Sequence, residues 1–65
     1  MITFFIKEKR IEKNLSPAEL SVLSGISKSH ISLIEAGKRT PSLDKIHYIA
    51  RALNCPISEL YKFSP

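Results

Sequence analysis

The stretch SGISKSHISLIEAGKR, Ser24 to Arg39, most narrowly limits what this chain can fold into. Gly25 stands where a helix must stop, because glycine reaches the left-handed C-terminal conformation without a Cβ clash. Ser27 stands where another helix starts, since its hydroxyl can accept a bond from a first-turn amide. An apolar pattern of helical period follows. Ile31 and Ile34 point one way, and Lys28, Ser29, Ser32 and Leu33 share the opposite arc until Gly37 ends the segment. A short, separately capped helix is therefore bracketed by two glycines and keeps a largely polar outer face.

The flanking sequence predicts four more helices. The first runs roughly from Ile2 to Lys13, with Ile2, Ile6 and Arg10 at a spacing of four and Phe5 beside them in the core; Asn14 is its left-handed stop. The second opens on SPAEL, a capping box of Ser16 and Glu19 with Pro17 at the first helical position, where its missing N–H costs nothing. Leu20 and Leu23 are expected to face inward. The fourth begins at Ser42 after Pro41, carries the stripe Leu43, Ile46, Ile49, Ala50 and Leu53, and ends at Asn54. A short final helix in PISELYKF brings Ile57, Leu60, Tyr61 and Phe63. No run alternates with a period of two over strand length. The expectation is one all-α domain over residues 1–65, with five helices and no strands.

Two short capped helices joined by a glycine turn form a helix-turn-helix, here over residues 16–37. Such a unit needs a small residue where its helices cross, and Ser21 supplies it. Leu20, Ile26, Ile31 and Ile34 lock the pair. The charge pattern bears on what the protruding helix meets. The net charge is +4, and the pI is near 9.5. Lys7, Lys9, Arg10 and Lys13 precede the unit, and Lys38, Arg39, Lys45, Arg51 and Lys62 follow it, whereas Lys28 is its only cation. Positive charge flanks the unit without filling it, as suits a polyanion gripped at its edges.

Other chemistries find little support. His30, His47 and Cys55 have no metal-ligand spacing, so neither a metal site nor a cofactor is expected. No activated nucleophile, oxyanion site or glycine-rich phosphate loop is present, which argues against an enzyme. No stretch could span a bilayer, and the apolar start MITFFIKEKR lacks the flanks of a signal peptide. The single Cys55 cannot form an internal disulfide, which fits a reducing compartment. Phe4 and Ile11 cannot all turn inward with Ile2, Phe5 and Ile6, so part of that patch is a candidate partner surface.

The ordered set LSPAEL, Gly25, IS followed by HIS, IE and Gly37, then GKRTPS and ARALN, resembles the phage-repressor and Cro type of helix-turn-helix, the xenobiotic-response-element (XRE) family. The resemblance covers essentially the whole chain and implies a compact five-helix, lambda-repressor-like DNA-binding domain. It implies base contact by Lys28, Ser29, Ser32 and Leu33 from the helix that enters the major groove. It implies phosphate contact by Ser16, Pro17, Lys38, Arg39 and Thr40, the first two at a helix N-terminus. It also implies a structural ion pair between Arg10 and Glu35, and a dimer interface from Ile57, Leu60, Tyr61 and Phe63. Ser21 stands where the family favours alanine, and Leu33 where many members carry a polar or basic residue.

The expected function is sequence-specific binding to double-stranded DNA by a small bacterial or phage transcriptional regulator. It would be a cytoplasmic repressor, nucleoid-associated when bound, acting as a homodimer on a palindromic operator. With no ligand-sensing domain in view, switching would come from concentration, a partner protein or proteolysis. The rival class is a protein-interaction module on the same scaffold, whose partner is a regulatory protein such as an antirepressor or a toxin. Intact Lys28, Lys38 and Arg39 favour DNA.

Overall fold

A computed structural model describes residues 1–65. The chain runs through strand β1 (Ile2–Phe4), helices α1 (Ile6–Glu12), α2 (Pro17–Ser24), α3 (Lys28–Glu35) and α4 (Leu43–Leu53), one 3-10 turn (Ile57–Glu59) and strand β2 (Tyr61–Phe63). Four α-helices form, not five, and a two-stranded sheet replaces both ends of the expected all-α fold. The chain's first and last segments pair antiparallel, Ile2 opposite Phe63, Thr3 opposite Lys62 and Phe4 opposite Tyr61. The pairing extends through a bond of 2.8 Å donated by the Ser64 amide to the Met1 carbonyl, and another of 2.8 Å from Phe5 to Leu60. These segments are rich in Ile, Thr, Phe and Tyr, which suit a pleated surface. The expected fifth helix stops after one turn, where the Leu60 amide folds back onto the Ile57 carbonyl at 2.8 Å.

The helix boundaries obey their end residues. Ser16, Ser27 and Ser42 each accept a bond from the amide three residues on, at 3.1, 3.2 and 3.3 Å. Asn14, Gly25, Gly37 and Asn54 all adopt positive φ, between 52° and 75°. At Gly37 the Lys38 amide donates to Leu33 at 2.9 Å and the Gly37 amide to Ile34 at 3.1 Å, the doubly bonded end that satisfies two orphan carbonyls.

Ile6, Leu20, Ile26, Ile31, Ile34, Ile46, Ile49, Ala50, Leu53 and Leu60 form one core. Three expectations need correcting. Leu23 is exposed. The buried arc of α2 is set by Leu20 and Ser24 with half-buried Pro17 and Ser21, and at about 100° per residue Leu23 falls roughly 110° from its centre. Leu43 lies on the apolar arc of α4 yet is 74% exposed, on the wall of an open groove that Ile2, Phe4 and Pro41 also line. Ile2 is exposed and Phe5 half-buried, while Phe4 packs against the core, since a strand and not a helix sets their directions. Lys9 joins α1 to the 3-10 turn through Glu59 at 2.8 Å, close to the sheet.

Candidate nucleic-acid interface

The turn between α2 and α3 is held by side chains as well as by Gly25. Ser21 Oγ donates to the Ile26 carbonyl at 2.6 Å, and Ser24 Oγ accepts from the Ile26 amide at 3.3 Å. Serine at position 21 therefore stays small at the helix crossing and adds a bond an alanine could not make. Ile26 is buried beneath this turn, which fixes where α3 begins.

Lys28, Ser29, Ser32 and Leu33 all lie exposed on α3, with Ile31 and Ile34 buried behind them. Lys38, Arg39 and Thr40 are exposed in the segment that follows. The amides of Lys38 and Arg39 both donate to the Leu33 carbonyl, at 2.9 and 3.2 Å, so this basic segment is fastened to the helix it follows. The chain's three ion pairs engage only Lys9 and Arg10 as cations. Lys28, Lys38, Arg39 and Lys45 thus have no carboxylate partner.

At the start of α2, Ser16 is exposed and Pro17 half-buried. The capping box closes as expected: the Ser16 amide donates to Glu19 Oε1 at 2.8 Å. Its carboxylate is held below the usual range by those Ser16 bonds, the backbone one foremost. This uses amides that an anion would need. Pro17 has no N–H, Glu19 and Leu20 donate to Ser16, and Ala18 keeps the one free amide of the first turn. The N-terminus of α2 is a weaker phosphate seat than its sequence suggests.

His30 and Lys45 belong to the basic surface, and Lys45 has no signal in the sequence beyond following the Ser42 cap. His30 is half-buried on α3. Burial, then the nearby Lys45 and Arg39 charges, push its imidazole pKa down. Three elements, α3, the loop and α4, thereby bring two permanent cations and one titratable group together.

Arg10 and Glu35 meet as expected. Arg10 Nε donates to Glu35 Oε2 at 2.8 Å and Nη2 donates to Oε1 at 3.1 Å, with both side chains only 10% exposed. Leu60, expected at a dimer surface, is buried in the protomer's own core and has no exposed surface to offer. Phe63 and Tyr61 are exposed, and Ile57 is half-buried. No group of three His, Cys, Asp or Glu side chains converges where it could hold a metal ion. No helix is long and apolar enough to cross a membrane.

A short helix crossed by another, its outward arc free and unpaired cations beside it, defines a helix-turn-helix DNA-binding domain. The helix-turn-helix family profile matches residues 6–60. The chain belongs to that family, in its XRE-type branch, a family of non-enzymatic DNA-binding regulators. An uncharacterized HTH-type transcriptional regulator of Archaeoglobus fulgidus is 36% identical over 58 residues, covering 89% of this chain and 82% of that protein. A similarly described regulator of Mycobacterium tuberculosis is 37% identical over 57 residues, covering 88% of this chain but only 41% of that protein. The chain therefore spans about two fifths of the mycobacterial relative. The crystal structure of the restriction-modification controller protein C.AhdI from Aeromonas hydrophila superposes with a TM-score of 0.81 at 37% identity, covering 83% of this chain and 82% of that one.

Proposed function

We propose that this chain is a sequence-specific DNA-binding transcriptional repressor. It acts in a bacterial cytoplasm, on the nucleoid when bound, as a homodimer on an approximately palindromic operator. The observation that carries the reading is the exposed arc of α3 beside Lys28, Lys38, Arg39 and Lys45, none of them neutralised within the protein. In this reading α3 enters the major groove. Lys28 donates to guanine, Ser29 and Ser32 meet neighbouring base edges, and Leu33 meets a thymine methyl. Lys38, Arg39 and Thr40 hold phosphates, joined by Lys45 and His30, and the free Ala18 amide beside Ser16 and Pro17 offers a further phosphate contact.

Selection of bound sites from random duplexes tests it. The expected result is an inverted repeat whose half-site centres lie about 34 Å apart, or a multiple of that. Failure to enrich any sequence, with equal binding to unrelated duplexes, would remove sequence-specific recognition.

One observation favours an additional protein contact. Val22 and Leu23 are exposed along a groove that Leu15, Ala18 and Glu19 also line. A regulatory protein such as an antirepressor or a toxin could bind there without covering α3. Val22→Asp should abolish capture by such a partner and leave operator affinity intact.

A further inference from the structure

One residue joins the two helices of the interface, and its backbone is held in a way no other turn of the chain repeats. Ile26 is the single residue between Gly25, which ends α2, and Ser27, which caps α3. Neither its amide nor its carbonyl bonds to another backbone group. Both are satisfied by serines of α2. The amide donates to Ser24 Oγ at 3.3 Å, and the carbonyl accepts from Ser21 Oγ at 2.6 Å. Ser21 also accepts the Gly25 amide on its own carbonyl at 2.9 Å, so one residue ties down both ends of the turn. Ile26 and Ser24 are only 6% and 8% exposed, which leaves water little room to replace either serine.

We propose that Ser21, seconded by Ser24, is a positioning residue for base recognition. It sets the direction of α3, and thereby the sequence preference of the protein, through Ile26 and not through contact with DNA. The inference rests on the reading of α3 as the helix that enters the major groove.

Peptide geometry supplies the reason. The Ile26 carbonyl and the Ser27 nitrogen belong to one rigid plane, so rotation about Ile26 ψ swings the carbonyl and the start of α3 together. A donor on α2 that holds the carbonyl oxygen therefore holds the direction in which α3 departs. The far end of α3 is held separately, by the Arg10 bonds to Glu35. With that end pinned, loosening the turn moves the end that carries Lys28 and Ser29. The helix has eight residues. Over its length of ~12 Å a swing of about 10° displaces Lys28 by ~2 Å, several times the ~0.5 Å range of good hydrogen-bond lengths.

The basic segment responds differently. Lys38 and Arg39 are fastened to the Leu33 carbonyl, nearer the pinned end, so the phosphate contacts assigned to them move far less. Alanine at position 21 would keep the helix crossing small and leave the Ile26 carbonyl without its donor. Apparent operator affinity then falls with the fraction of molecules whose α3 departs correctly, while binding through phosphates persists.

Anisotropy titrations of the full chain on two duplexes test this, one carrying the selected operator and one unrelated, at a temperature where circular dichroism shows each variant folded. The wild type should prefer the operator. Ser21→Ala should weaken operator binding about tenfold, the scale of one orphaned buried acceptor, and change binding to the unrelated duplex by less than about twofold. Ser24→Ala, which removes the longer bond, should lower the same ratio by a smaller factor, and it decides the matter if Ser21→Ala does not fold. Ile49→Val, a core change in α4, should lower stability yet leave the ratio unchanged. Equal losses on both duplexes, no loss on either, or a ratio that Ile49→Val lowers as much, overturn the positioning role and leave the major-groove reading standing. A wild type that binds both duplexes equally overturns that reading itself.

Discussion

Arg10 grips Glu35 through two parallel hydrogen bonds and, with its remaining Nη1, donates to the Leu15 carbonyl at 2.9 Å. One guanidinium thereby joins α1, the last turn of the recognition helix and the connection leading into α2. The Glu35 bond is the main influence pushing Arg10 still further toward its charged form. Glu35→Ala leaves that charge 8% exposed with a single carbonyl partner. The substitution should cost about 3–5 kcal/mol, the penalty of orphaning one member of a buried pair. Denaturant titration checks this. A double-mutant cycle with Arg10→Met should recover part of the loss, and strictly additive effects would contradict the coupling.

Lys38 and Arg39 should act on all sequences alike. Each change to alanine should weaken operator and random duplex by similar factors. It should also flatten the slope of log affinity against log salt by about one unit per lost phosphate contact. Anisotropy titrations across a salt series read both effects, and an unchanged slope takes the residue out of the phosphate role.

Leu33 cannot donate or accept a hydrogen bond through its side chain, and it lies 37% exposed on the outer arc of α3. Its favourable neighbour in a major groove is the thymine methyl. Replacing thymine with uracil at one position in each half-site should weaken the wild type and leave Leu33→Ala indifferent, with folding stability nearly unchanged. If no position discriminates between the two proteins, Leu33 reads no methyl group.

His30 supplies a pH signature. In the free protein, burial and the Lys45 and Arg39 charges hold its pKa below the unfolded value. Its contribution to stability is therefore complete above about pH 6.5 and declines as pH falls below that. A DNA phosphate placed against the same cluster reverses the sign, because it favours the imidazolium. Operator affinity should rise as pH falls from 7.5 to 6, by up to about tenfold for a one-unit upward shift. His30→Gln should bind with a flat profile over that range. Anisotropy at fixed ionic strength decides, and a wild-type profile as flat as the variant's would place His30 away from the phosphates.

The helices were legible because their ends are chemically marked. Ser16 with Glu19, Ser27 and Ser42 start them; Asn14, Gly25, Gly37 and Asn54 stop them, each through a local bond or a local φ. The sheet was not legible because its strands have three residues each and lie at opposite ends of the chain. Ile2 and Phe4 around Thr3, or Tyr61 and Phe63 around Lys62, are too short an alternation to stand out from a helix. Their pairing is a non-local fact. The same error displaced Leu60, which a helix would have turned partly outward and the 3-10 turn drives into the core. Within the candidate interface, the exposed arc of α3 and the Arg10–Glu35 pair follow from motif and spacing. The company of His30, Arg39 and Lys45 depends on how α4 folds back, which spacing along the chain does not encode.

The bond between the Ser64 amide and the Met1 carbonyl brings the two ends of this 65-residue polypeptide side by side. A peptide linker of a few residues could therefore turn the chain into a ring with little native distortion. Closing a ring of that length removes freedom from the unfolded chain alone, a gain of up to about 4 kcal/mol by analogy with a disulfide spanning a similar loop. The ring could then be reopened within the exposed Lys38–Thr40 segment, giving a permuted protein whose new ends fall beside the recognition helix. Such a permutant, opened between Lys38 and Arg39, would retain the sheet and the Lys38 bond to Leu33 while releasing Arg39 from its own, so the two halves of the basic segment would be held independently.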